Sequence, residues 1–191
     1  GDYSYGRMVL TAYAAARIPP SSDFSEDAGG LIASMLAAGL DRDAVRWSGE
    51  VDGGSQAWAL LALAAPNSST GVSSGDIDSF MDDDSSSGQR KSRMLVAGLA
   101  GLDKIGEGAL DQYDGRLGVN ITAESRWTRM IDQAAAVNNR ALVAMLAGLG
   151  MQGASWDRMT ARHLYHIVSA LRRVGLDAEA RMIAAEAVAR A

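Results

Sequence analysis

Cysteine is absent from this 191-residue chain, which excludes a disulfide framework, thiolate-bound zinc and thiol catalysis together. Aromatic residues are scarce at 6%, so a core has to be filled from the plentiful Ala, Leu and Met, with small residues letting helices approach closely. Proline occurs three times, at Pro19, Pro20 and Pro66. Lysine is almost missing: only Lys91 and Lys104 stand beside 16 arginines, a bias that coding in a GC-rich bacterial genome accounts for. No run approaches the ~20 apolar residues of a membrane span, so no membrane insertion is expected. No secretory n-region, h-region and cleavage site precedes the first helix. Gly1 in place of a starting Met reads as a tag remnant, which leaves an upstream leader, and hence cytoplasm or periplasm, open. Excess positive charge is lacking too. The net charge of −5 argues against a nucleic-acid binder, which needs a concentrated basic surface.

That charge is unevenly spread. Residues 1–86 carry 13 acids and 4 bases, whereas residues 87–191 carry 10 acids and 14 bases. This asymmetry fits one acidic and one basic face, or local loop composition.

The chain does have four short apolar runs, each containing Gly-Leu: LIASMLAAGL at 31–40, MLVAGLAGL at 94–102, LVAMLAGL at 142–149 and IVSALRRVGL at 167–176. Their aliphatic residues fall at helical spacing, and in each the glycine is read as a helix stop. The first helix is expected at 5–17, burying Tyr5, Val9, Ala12, Tyr13 and Ala16, and ended by Ile18-Pro19-Pro20. Ser25 is the expected cap of the next helix, and Asp41 that of a short one through Val45 and Trp47. Ser55 starts AWALLALAA, apolar nearly all round and so expected at the centre of its neighbourhood.

Residues 66–88 hold eight Ser and five Asp and read as a flexible surface excursion, with only Ile77, Phe80 and Met81 offering an apolar face. Beyond it, helices are expected from Gln89, Thr122 and Ser155, with a weaker segment at 104–113 and a loop at Gly115 and Gly118. Ala141, Leu142, Met145, Leu146 and Leu149 are read as one inward stripe. Ala161, Leu164, Tyr165, Val168 and Leu171 are the inward face of the longest helix. Asp177 is expected to cap the last helix, which turns Ala180, Ile183, Ala184 and Ala187 inward and a Glu186–Arg190 pair outward.

Starts at Ser55, Gln89, Thr122 and Ser155 recur at the length of one helix pair plus its turns. On this spacing, and on the C-terminal GLDAEARMIAAEAVARA, the chain resembles the tetratricopeptide-type helical-hairpin repeats over residues 55–190. The resemblance implies stacked hairpins with a concave surface. It carries over no binding residue, because the family's Trp, Gly-Tyr, Ala, Phe and Pro pattern does not recur in register. The expected fold is therefore all-α, about ten helices in stacked antiparallel hairpins without a sheet. It forms a single domain over 2–191 interrupted at 66–88.

No catalytic constellation stands out. His163 and His166, the only histidines, lie at i and i+3, but no HExxH and no third ligand accompany them, so no metal or cofactor is expected. A helical wheel groups His166 with Arg162 and Arg173 in a basic stripe opposite Leu164 and Leu171, the one candidate binding surface, for an acidic peptide or anion. Calcium fails at residues 76–87, because Met81 and Ser87 occupy the positions where an EF-hand loop needs Gly and Glu. Asp111, Tyr113 and Asp114 read as an exposed helix end rather than an acid–base pair. No serine lies in GxSxG or SxxK. Trp47, Trp58, Trp127 and Trp156 are expected as packing anchors. These readings favour a non-enzymatic protein-interaction or scaffolding module with a protein or peptide partner, self-association through an end of the stack being open. The alternative is a hydrolase using Asp or Glu in an interhelical groove.

Overall fold

In the computed structural model, residues 3–66, 71–153 and 156–191 are described, and among them the chain is all-helical with eleven α-helices and no strand. Its residues group into two compact units, Gly1–Asp83 and Asp84–Ala191. The division falls inside the segment read as an excursion from a single domain.

In the first unit, α1 (Tyr3–Ala15) lies along α2 (Ala28–Ala37). The contact is made by the small side chains Ala12 and Ala15, both buried. Polar bonds fix its register: Ser34 Oγ donates to the Met8 carbonyl at 2.6 Å and shares a 3.0 Å hydrogen bond with Thr11 Oγ1. Tyr13, expected inward, is instead 70% exposed. Narrow alanines on the other side of the helix allow a closer approach than a tyrosine ring does. Ser25 does not cap α2. It closes a one-turn 3₁₀ helix, Ser22–Phe24, and α2 begins after Asp27 without a side-chain cap. At its far end Gly39 adopts φ +74°, and the Leu40 N–H reaches back to the Met35 carbonyl, the αL stop expected there.

Leu40, not Asp41, occupies the cap position of α3 (Asp41–Val45), which runs into a 3₁₀ turn bearing the buried Trp47. Then α4 (Gln56–Ala64) starts at Ser55, whose hydroxyl accepts from the Trp58 N–H at 3.1 Å. Every residue from Ala57 to Ala64 is buried, and α2 packs against this helix. Burying Leu60, Leu61 and Leu63 contributes roughly 1.5–3 kcal/mol each before conformational entropy is counted.

The 66–88 excursion is not structureless. Residues 74–82 form α5 (Ser74–Asp82), capped by Ser73 and anchored by Ile77, Phe80 and Met81, all buried. Asn67 to Thr70 lie outside the described residues. A backbone-only turn makes room for α5: a Cβ on Gly54 would lie 2.6 Å from Ser79 Cβ.

The second unit gathers around α10 (Ala161–Arg173). Its most extensive contact is with α6 (Arg90–Gly101), and it also touches α8 (Arg126–Ala136), α9 (Arg140–Gly150) and α11 (Asp177–Ala189). The consecutive pairs α8–α9 and α10–α11 pack as hairpins, whereas α6 lies against α10 and α11, four and five helices further on. A nearest-neighbour stack has no such contact. Its cause is visible at Gly101, where an added Cβ would lie 2.9 Å from Val168 Cβ and 3.1 Å from the Tyr165 carbonyl. Absence of a side chain there lets α6 and α10 close together.

The start of α6 is held by a residue well before it. Asp84 accepts from the Ser92 N–H at 2.8 Å and the Ser92 hydroxyl at 2.6 Å, and also from Ser86. Burial by itself raises the Asp84 carboxyl, but these hydrogen bonds outweigh it and leave the pKa lowered. The segment read as 104–113 is α7 (Glu107–Leu117), with Gly115 inside the helix and Gly118, at φ +61°, at its end.

Ser125 rather than Thr122 caps α8, with a reciprocal bond from Thr128, and Thr160 caps α10. Ser155, the expected cap, lies outside the described residues. Leu176 stands at the cap position of α11, whose buried face is Ala180, Ala184, Ala185, Ala187 and Val188, while the Glu186–Arg190 ion pair forms as expected. Among the described residues no helix is long and apolar enough to cross a membrane.

Candidate functional site

The expected basic stripe divides when α10 is packed. Arg162 and Arg173 are exposed, but His166 is buried, with 4% of its surface accessible. Its neighbours Ile167, Val168 and Ala170 are buried too, so the covered arc of α10 is wider than a single-face wheel allows. His166 Nδ1 makes a 2.8 Å hydrogen bond to Asp132 Oδ2 of α8, the Tyr165 ring meets it edge-on, and its Nε2 is buried without a partner among the described residues. It therefore ties α10 to α8 and is no part of a surface stripe. Arg162 and Arg173 themselves stand eleven residues apart, about 16 Å along the helix.

His163 stays near the surface of the site, its Nδ1 2.8 Å from Thr160 Oγ1 and its ring edge-on to Trp127. Burial, then the charges of Arg162 and His166, hold its pKa below the ordinary value, favouring neutral imidazole.

Arg162 instead joins two arginines that sequence reading did not connect with it. Arg90 and Arg93 of α6 and Arg162 of α10 line one cavity of about 370 Å³, together with Met94, Asn120 and Thr160. No carboxylate lines it. Two of the guanidinium groups are oriented by backbone carbonyls: Arg90 Nη2 donates to Trp156 at 2.5 Å and to Met159 at 2.9 Å, and Arg93 Nη2 donates to Leu117 at 3.2 Å. Both Nε atoms are buried and unpartnered among the described residues. The one signal available in the sequence was the arginine pair at i and i+3 opening an apolar helix. Its meeting with Arg162, about seventy residues away, depends on the α6–α10 contact.

A second cavity, about 220 Å³, is lined by Trp156, Arg158, Met159 and Arg190 with residues 150–153. Asp111 and Asp114 border neither cavity. Asp114 is occupied in structure, its Oδ2 accepting from the Ile121 N–H at 3.1 Å. Burial raises its pKa, the Ile121 hydrogen bond lowers it, and Asp111 raises it further. Tyr113 is fully buried rather than at an exposed helix end. Lys104 is pushed down to about 8 by burial and by the charge of Arg181. Trp47 and Trp58 are core anchors, while Trp156 forms a cavity wall. Among the described residues no group of three or more His, Asp or Glu is placed to hold a metal ion.

Of the stripe expected inward on α9, Leu146 is buried, but Ala141, Leu142, Met145 and Leu149 are exposed. Val143, Leu146 and Ala147 are buried, and Leu142, Met145 and Leu149 are 40%, 72% and 52% exposed. At i, i+3 and i+7 these three form one apolar row on the helix surface. Comparison with protein-family models, with curated proteins and with solved structures gives no match.

Proposed function

We propose that the chain is a non-enzymatic helical module that binds a protein partner, and that the partner contributes an amphipathic helix to the outer row of α9. The carrying observation is the exposure of Leu142, Met145 and Leu149 side by side on one helix. Their i, i+3, i+7 spacing matches the anchor spacing by which one helix docks on another. Met145 at the centre adds an adaptable, polarizable surface. Helix starts at Ser55, Gln89, Ser125 and Thr160 recur every 34 to 36 residues, the length of a helix pair, but the α6–α10 contact departs from a sequential stack of such pairs.

The test pairs capture with a surface variant. Cross-linking and pull-down from the source organism, repeated with Met145→Asp plus Leu149→Asp, should lose the captured protein while circular dichroism stays unchanged. Both side chains already face solvent, so the variant leaves the core intact. Equal capture by the variant, or a partner recovered only through self-association seen by light scattering, would overturn this assignment.

A further inference from the structure

We infer that the cavity between the first turns of α6 and α10 is a binding site for the phosphate group of a small molecule. It collects three guanidinium groups, Arg90, Arg93 and Arg162, and no carboxylate in its lining. Like charges brought together without a counter-charge raise the local potential and attract an anion. Arginine is suited to the tetrahedral oxyanion because its planar fork presents paired N–H donors.

The forks are already set. One Nη of Arg90 and one of Arg93 are committed to backbone carbonyls, which fixes each guanidinium plane, and no ion pair among the described residues engages either group or Arg162. Preorganised donors lose little conformational entropy when an anion arrives.

The start of α10 adds to the site. Thr160 accepts the His163 N–H at 3.2 Å, leaving the N–H groups of Ala161 and Arg162, both lining residues, without an intrahelical acceptor. The start of α6 does not contribute in this way, since Asp84 and Ser86 already take the N–H groups of Ser92 and Lys91. A volume of about 370 Å³ exceeds what a bare phosphate fills, and Met94 offers an apolar wall for the remainder of an organic phosphomonoester.

Isothermal titration of the full chain with inorganic phosphate and with phenyl phosphate, at constant ionic strength in chloride, tests this directly. Saturable binding of phosphate is expected, with Kd from about millimolar to micromolar. Arg162→Glu should weaken it at least about tenfold and Arg162→Lys by about threefold or less, because a point charge keeps the attraction but not the fork. The Arg162 side chain is exposed, with no hydrogen bond found for it among the described residues, so both variants should keep the wild-type melting temperature. Tighter binding of phenyl phosphate assigns the rest of the cavity to an organic moiety; equal affinity assigns the site to phosphate alone. Absence of saturable heat with either probe, or equal binding by Arg162→Glu, overturns the assignment.

Discussion

Asp132 is the residue on which the orientation of α10 against α8 depends. Its carboxylate takes the one side-chain hydrogen bond found for buried His166 among the described residues. Asp132→Ala would leave a buried ring nitrogen without a partner, at a cost of about 1–3 kcal/mol. Urea unfolding should report that loss as a lower midpoint at unchanged slope, and Asp132→Asn, which retains an acceptor, should recover part of it. If Asp132→Ala keeps the wild-type midpoint, the pair is dispensable. The same pair explains why sequence reading put His166 on the surface. A lone polar residue among arginines on a wheel looks solvated, and its acceptor lies 34 residues away on another helix.

At the scale of elements, the four Gly-Leu runs show what a local pattern specifies. Two glycines are the stops they were read as: Gly39 and Gly175 take φ +74° and +75°, and the following leucines bond back over the last turn. The other two differ from these. Gly101 is the last residue of α6 but takes no left-handed turn, Gly148 lies inside α9, and the left-handed residues that follow α6 and α8 are Asp103 and Asn138. Helix identity was legible, because aliphatic spacing survives in any packing. The faces of α5 and most of α10 were legible too, but that of α9 only at Leu146, because its inner and outer rows are both apolar and only tertiary contact turns Val143 inward and leaves Leu142, Met145 and Leu149 outside. Ile77, Phe80 and Met81 sufficed to fold α5 amid serines, since a short helix needs only one covered face. Of the candidate site, Arg162 alone was anticipated; Arg90 and Arg93 join it through a long-range contact that no local spacing encodes.

Gly101 and Gly148 give opposite expectations. Gly101→Ala forces a methyl against Val168 and the Tyr165 carbonyl, and should destabilise by about 1–3 kcal/mol. Gly148→Ala meets nothing within 4 Å on an exposed helix surface, and should stabilise by roughly 0.5–1 kcal/mol through helix propensity. Thermal melts of the two variants should shift in opposite directions. A shift of the same sign in both would contradict the close approach of α6 and α10.

At the scale of the whole molecule, the Asp84–Ala191 unit carries its own core and its own cap for α6. A unit of about 100 residues lies within the ordinary range of independently folding domains. Residues 84–191 produced alone should therefore stay helical and melt in one cooperative step, followed by circular dichroism. A broad, non-cooperative melt would show that this core needs the first 83 residues.

Synthesis order adds a burden to that core. The apolar side of α6, with Met94, Leu95 and Leu99, leaves the ribosome well ahead of Leu164 and Val168 on the helix that covers it. At about 5–20 residues per second, those side chains wait several seconds for their cover. During that interval a nascent chain offers a greasy surface to whatever is nearby, a hazard that ends when α10 is made.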